Sequence, residues 1–387
     1  SVSAQSFHVV GPGALAQIRD ALAVAAPGDV VDVLPGTYAH FTASFGVTIR
    51  AVAPHSVSIA YDPAFAPPGC LTNPFCGLAE GPTVFAAPVG QTVYVSGVDF
   101  TASTYSSGSL LLPLIKHRVV VSSGSVSFDD CHFSAFETSA LRVQSASVHL
   151  QNCVVAGTGF NATAHGLSAS AAHLTAVATS FAGNGGTGFV FPGDAITMTT
   201  STLKASGCSM FGGTQLLGGV GGAALRVGAA DRVWIRDSSL VGGGTTCAVV
   251  GTPLVGRAQN TTYAPAGSCA ALPNGPVVGA VRSGPLVGGT TITAQFLTEP
   301  FEAVLLFAAH GLETTEIGGI VEQPLALEAS TRVILGTFAA DANGDFSASW
   351  FLPPGILNGV PLWVGAATFG TSPLIQIAPA LGGVVLN

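Results

Sequence analysis

Apolar and polar positions alternate over short stretches along most of the chain, and one eight-residue form of that alternation occurs six times. The copies begin at Val93, Val126, Val148, Leu174, Leu203 and Val233 and end at Phe100, Phe133, Val155, Phe181, Met210 and Leu240. The first, third and eighth places are apolar or small, and the second is mostly polar. The fifth is usually Gly, Asp or Asn, residues that turn a chain at low cost, and the sixth is Val, Cys, Thr or Ser. Starts are separated by 33, 22, 26, 29 and 30 residues. Fixed elements joined by loops of variable length at this period predict a solenoid of stacked coils. Each copy reads as strand, turn, strand, with alternate side chains directed into a narrow apolar core. Segments 119–121, 140–143, 167–169, 196–198 and 224–227 add a further strand to each coil, and the inserts at 62–83 and 183–193 are expected to project as loops.

The ends of the chain read differently. Residues 14–24 place apolar side chains at helical spacing and predict a short amphipathic helix, stopped by Pro27-Gly28-Asp29. Strands follow at 30–34 and 47–50, with a turn at 35–38 between them. An open solenoid end exposes strand edges, so this helix is well placed as a cap. From about residue 273 the eight-residue pattern stops at a Pro- and Gly-rich linker. Alternating segments at 290–296, 303–308, 332–338, 346–351, 361–366 and 374–377 then predict a β-sandwich of immunoglobulin-like type, with 341–346 as a connecting hairpin. The expected architecture is therefore all-β: a parallel β-helix with its cap over residues 1–272 and a sandwich over 273–387.

Composition narrows the function classes. Only 8% of residues are charged, with a net charge of −8 and two lysines, so no basic stripe exists to hold nucleic acid. Few charges also leave little to oppose lateral association. No run of about 18 apolar residues is present, which argues against membrane insertion. The chain starts on Ser with no charged segment in the next nine residues, so a mature chain with its export signal removed is expected.

Seven cysteines fit an oxidising compartment. Cys70 and Cys76 bracket a short loop, and Cys247 and Cys269 could close another. Cys131 and Cys153 hold the same place in consecutive repeats, where stacked coils bring equivalent Cα atoms within disulfide range. The same places suit small buried hydrophobes, with Cys208 alike.

The run Ile18-Arg-Asp-Ala-Leu22, Pro27-Gly-Asp29 and Val33-Leu-Pro-Gly-Thr-Tyr38, followed by the repeats, resembles the secreted pectate-lyase-like right-handed parallel β-helix proteins. The resemblance covers roughly residues 5–270. It implies the β-helix fold and leaves function open, because that superfamily holds polysaccharide lyases and hydrolases as well as adhesins and surface proteins without catalysis. The C-terminal region is similar to sandwiches appended to secreted bacterial surface proteins.

Candidate chemistry is thin. Asp129-Asp130 with His165-Gly166 resembles the acidic pair and His-Gly element of polygalacturonase-like hydrolases, but the preceding Asn-x-Asp and following Arg-x-Lys elements are missing. Asp130 aligns with Gly97, Asn152, Gly207 and Asp237, the places of turn residues. Arg142 and Arg226 align without forming a ladder, and Lys116-His117-Arg118 is the one basic cluster. Asp341-x-Asn343-x-Asp345 has the spacing that opens a calcium loop, yet position 352 is Leu rather than Glu, and an Asn-Gly turn explains it. The nine histidines show no His-x-His or His-x-x-x-His pairing, so no metal, cofactor or catalytic residue is assigned. Asn161 and Asn260 head sequons for N-linked sugar. Trp234, Trp350 and Trp363 could stack on sugar rings.

These features predict a secreted, non-enzymatic structural or adhesive subunit: a rigid rod with a sandwich at one end, assembling head to tail with copies of itself. Both the start, 6–10, and the apolar tail, 374–386, could add to a neighbour's sheet edge. The alternative is a polysaccharide-active lyase, hydrolase or binding module working along the solenoid's flank.

Overall fold

The computed structural model describes residues 5–60, 82–101, 119–136, 139–158, 163–186, 192–215, 220–264, 271–275, 277–283, 286–310, 312, 331–354, 360–369 and 375–384. The six repeats lie on one another as successive rungs. Val93 pairs with Val126, Val126 with Val148, Val148 with Leu174, Leu174 with Leu203, and Leu203 with Val233, all in parallel register. Their first halves belong to a ten-stranded parallel sheet that runs from Phe7–Val10 at one end to Val255–Gln259 at the other. After the turn, each chain enters a nine-stranded parallel sheet. The upstream segments form an eight-stranded third sheet, in which Val119, Leu141, Leu167, Ile196 and Leu225 follow one another in register. Three parallel sheets around one core make a parallel β-helix.

The fifth place of every repeat has positive φ: Gly97, Asp130, Asn152, Ala178, Gly207 and Asp237 all lie between 47° and 69°. This left-handed residue bends the chain from the first sheet into the next, which is why Gly, Asp and Asn recur there. The turns are stitched coil to coil, for example by Asp130 N–H donating to Gln151 C=O at 2.9 Å and Asn152 N–H to Val177 C=O at 3.1 Å. First, third and eighth places fill the core as read. Phe100 and Phe133, both at the eighth place, stack at 5.0 Å and 8°, and Phe128 meets Phe133 edge-on at 4.9 Å.

At the sixth place stand Val98, Cys131, Cys153, Thr179, Cys208 and Ser238. Cys131 and Cys153 are free thiols, which corrects the disulfide expected between them. Each Sγ instead lies against the carbonyl two residues before it, at 3.4 Å from Asp129 O and 3.2 Å from Gln151 O. Thr179 and Ser238 make the same local bond through their hydroxyls, to Val177 O and Arg236 O. The place therefore takes a small side chain, and Cys serves there beside Val, Thr and Ser without oxidation. Burial pushes the Cys208 thiol up to about 12 and holds Cys131 well above its ordinary value.

The helix is shorter than read, Ile18–Leu22, and it buries Ile18, Ala21 and Leu22 against the first rung. Gly36–Tyr38, expected as a turn, is a strand of the nine-stranded sheet paired with Val57–Ile59. Loops of later coils stack on glycine. A Cβ on Gly213 would lie 1.6 Å from Asn184 O, and one on Gly222 would lie 1.9 Å from Gly193 O, so the backbones approach too closely for any side chain.

The C-terminal region is two antiparallel sheets, one with Gly279–Ser283, Thr291–Leu297 and Asp345–Phe351, the other with Val333–Ala339, Ala303–Ala309, Pro361–Phe369 and Gln376–Ile377. Leu381–Val384 also pairs with Pro361–Phe369. The segment 341–346 is not a hairpin, because the strands on either side of it belong to different sheets. Asp341 Oδ1 accepts from the Asn343 and Asp345 amides at 2.8 and 2.9 Å, closing an Asx-type turn between sheets. The described part of the apolar tail, 375–384, pairs within this sheet through Gln376–Ile377 and Leu381–Val384.

The largest departure concerns placement. The C-terminal sheets do not extend the rod from one end; they lie along the outer face of the ten-stranded sheet. Second-place residues point outward there, yet Trp234 is 1% exposed, Ser127 2%, His149 3% and Lys204 4%. Val177, an outward fourth-place residue, joins the C-terminal core with Val278, Ala280 and Phe296.

Candidate functional site

Among the described residues, chemistry-bearing side chains gather at the seam between the β-helix and the C-terminal sheets, around Asp194, and in an exposed cluster beside the turn column.

The seam contains Asp129, which with Asp130 resembles the hydrolase acidic pair without being assigned a catalytic role. Asp129, at a fourth place, accepts from Arg282 Nη2 at 2.9 Å, and the same guanidinium donates from Nη1 to Gly382 O at 2.7 Å. The Arg282 side chain is only 2% exposed. Oriented with its oxygen toward Arg282, the Gln151 amide accepts from Nε at 2.7 Å. Burial raises the Asp129 carboxyl, and the Arg282 charge opposes that rise. One coil on, His149 meets the Trp363 ring edge-on at 4.7 Å, and Tyr94 stacks on that indole at 6.1 Å. Further along, Ser206 Oγ accepts from Ala280 N–H at 3.2 Å and Arg236 Nη1 donates to Val277 O at 2.7 Å. Second and fourth places thus form one face that reads the C-terminal region residue by residue. The outward Tyr94, Val177 and Trp234 were the sequence signal for a covered face, since a solvated face would not carry them.

His165 is not brought to Asp129. It lies at 3.7 Å from Asp194, whose buried carboxylate also accepts from Arg226 Nε at 2.6 Å and from Ala223 N–H at 2.6 Å. Arg142, Ser168, Thr197 and Arg226 are in register as aligned, and both Arg226 and the Thr197 hydroxyl, at 3.2 Å, donate to Asp194. Trp234 and Trp363 are buried and present no ring face for a sugar, and Trp350 is half-buried against the C-terminal core. Asn260 occupies an exposed turn with φ 49°. Cys247 is disulfide-bonded, its partner lying outside the described residues. Cys70, Cys76, Cys269, Asn161 and the 116–118 cluster also fall outside them.

The exposed cluster was not anticipated. His55, at φ 57°, precedes the strand Val57–Ile59; Asp99 and His132 are in register on the next two coils of the same sheet. His55 Nδ1 lies 2.7 Å from Asp99 Oδ1 and its Nε2 lies 3.1 Å from Asp130 Oδ1. His132 Nδ1 lies 3.4 Å from the same Asp99 oxygen, and the two imidazoles stack at 4.1 Å and 22°. Hydrogen bonds to Asp99, partly offset by burial, raise the His55 pKa. No short sequence motif marks this group, because its members come from three coils.

Comparison with protein-family models, with curated proteins and with solved structures gives no match for this chain.

Proposed function

We propose that the protein is a secreted structural or adhesive subunit of the pectate-lyase-like β-helix type, its C-terminal part an immunoglobulin-like sandwich, and that copies associate through strand edges. The observation that carries this reading is a pair of exposed, uncharged edge strands. Phe7–Val10 ends the ten-stranded sheet with Phe7 48% and Val9 42% exposed. Val333–Ala339 ends a C-terminal sheet with Val333 and Ile334 about 60% exposed (59% and 63%) and Leu335 and Phe338 over 40%. Exposed apolar edges without Lys or Pro are templates for pairing with another strand. The β-helix that carries the first of them is stiff, because each coil is hydrogen-bonded to the next along three sheets. The engagement of Asp129 by Arg282 weighs against the polysaccharide-cleaving alternative on this flank.

Sedimentation and negative-stain micrographs of the intact chain test the reading. Concentration-dependent polymers that are lost in Val9→Lys or Ile334→Lys are expected. A monomer at several hundred micromolar, or turnover of an acidic polysaccharide that Asp129→Asn abolishes, would refute it.

A further inference from the structure

We infer that His55, Asp99 and His132 form a binding site for a divalent transition-metal cation of the zinc type, linking three consecutive coils. This goes beyond the assembly reading and does not depend on it.

The donor set is the first reason. Two imidazole nitrogens and a carboxylate oxygen suit zinc and its first-row neighbours, whereas calcium and magnesium prefer oxygen alone. One ligand atom from each residue lies within 4.8 Å of the others. Ligands about 2.0–2.2 Å from a tetrahedral ion stand roughly 3.4 Å apart. The separation between His132 Nδ1 and Asp99 Oδ1 is 3.4 Å. That from His55 Nδ1 to the same oxygen is 2.7 Å, a hydrogen bond whose proton an ion would replace.

The second reason is the partner on the far side of the ring. His55 Nε2 faces Asp130 Oδ1 at 3.1 Å. Once an ion displaces the Nδ1 proton, a proton held at Nε2 by Asp130 keeps the tautomer whose Nδ1 lone pair faces the metal, the carboxylate–histidine arrangement that supports ligating imidazoles in metal sites. Asp130 holds its place because the turn column demands a left-handed residue at that position, φ 55°. The fold thus provides both the ligands and the group that orients one of them.

Register supplies the third. Asp99 and His132 are neighbours in the parallel ladder, and His55 N–H donates to Gly97 O at 2.8 Å, so the three Cα positions are set by backbone pairing. Only side-chain torsions remain to adjust: the stacked rings must tilt so that both lone pairs converge. The two imidazoles are a third to a half exposed, at 33% for His55 and 46% for His132, and Asp99 is 20% exposed, which leaves room for that tilt and for water to complete the coordination.

Calorimetry with ZnCl2 on EDTA-treated intact chain tests this, with Co2+ absorption as the spectroscopic readout. One ion per chain is expected, with micromolar or tighter affinity, visible cobalt bands, and no comparable response to CaCl2 or MgCl2. His132→Ala and Asp99→Asn each weaken binding at least tenfold, and Asp130→Asn weakens it roughly tenfold through the orienting proton. His55→Asn, which keeps a residue tolerant of the left-handed turn, removes a ligand without removing the bend. His8→Gln, at the separate His8–Asp29 pair on the first coil, leaves binding unchanged. Urea midpoints in EDTA identify any variant that has simply lost its fold. Absence of stoichiometric zinc binding below millimolar, or binding that survives His132→Ala and His55→Asn, overturns the site.

Discussion

Arg282 donates to Asp129 at 2.9 Å across 153 residues of chain, and this ion pair joins the C-terminal sheets to the flank of the β-helix. Both partners are largely buried, so neither charge is tolerable alone. Arg282→Met is expected to destabilise the chain by about 3–5 kcal/mol, because it leaves a buried carboxylate without its cation. Asp129→Leu together with Arg282→Met should recover most of that loss. Urea unfolding of the two single variants and the double variant decides the point; a loss in the double variant equal to the sum of the two single losses would mean that the pair is not coupled.

His149 makes the same seam sensitive to acid. Burial first, and the neighbouring Arg282 charge second, push its pKa down to about 3. Trp363 and Gln151 are its other close neighbours, and neither supplies a negative charge. The unfolded imidazole titrates near 6.5, so between pH 6.5 and about 3 the unfolded chain binds a proton that the folded chain does not. Stability is lost across that window as pH falls. Limited proteolysis should release C-terminal fragments progressively below pH 6, and His149→Phe should flatten that dependence.

Lys204 works in the opposite window. Burial lowers its pKa to about 7, against 10.5 in the unfolded chain. Between those values the unfolded state binds more protons, so stability rises with pH. Lys204→Met is therefore expected to raise the melting temperature most at pH 7 and below, with the gain shrinking toward pH 10. A gain independent of pH would show that packing rather than charge is responsible.

Gly213→Ala is expected to cost at least about 3 kcal/mol or prevent folding, since the added carbon would meet the Asn184 carbonyl at 1.6 Å. Gly207→Asn is the contrasting substitution. Its φ of +63° suits Asn, the nearest atom is 4.0 Å away, and Asn already fills the equivalent place at 152. Thermal unfolding should separate the two clearly.

Cys131, Cys153 and Cys208 should resist alkylation in the folded chain at pH 8 and react in urea, because burial both shields the thiols and keeps Cys131 and Cys208 protonated. Rapid labelling under native conditions would contradict their placement in the core.

The rungs were legible because they are local. Val126, Phe128 and Phe133 are inward for reasons of strand period alone, and Asp130 or Asn152 marks a turn through its own φ preference. Six C-terminal strands could likewise be read from alternation, whereas the short Gly279–Ser283 and Leu381–Val384 carried too little pattern. His55, Asp99 and His132 showed nothing in sequence, being separated by loops whose lengths say nothing of register.

The sequence by itself determined that this chain coils, where each coil bends, and which residues line its core, since those follow from repeat period and backbone preference within a few neighbouring residues. Only the tertiary structure decided that the outward faces of Ser127, His149 and Trp234 are covered, that Asp129 is matched by Arg282, and that two histidines and an aspartate from three coils converge. Such contacts depend on how whole sheets dock and how coils align, and no single stretch of chain encodes that.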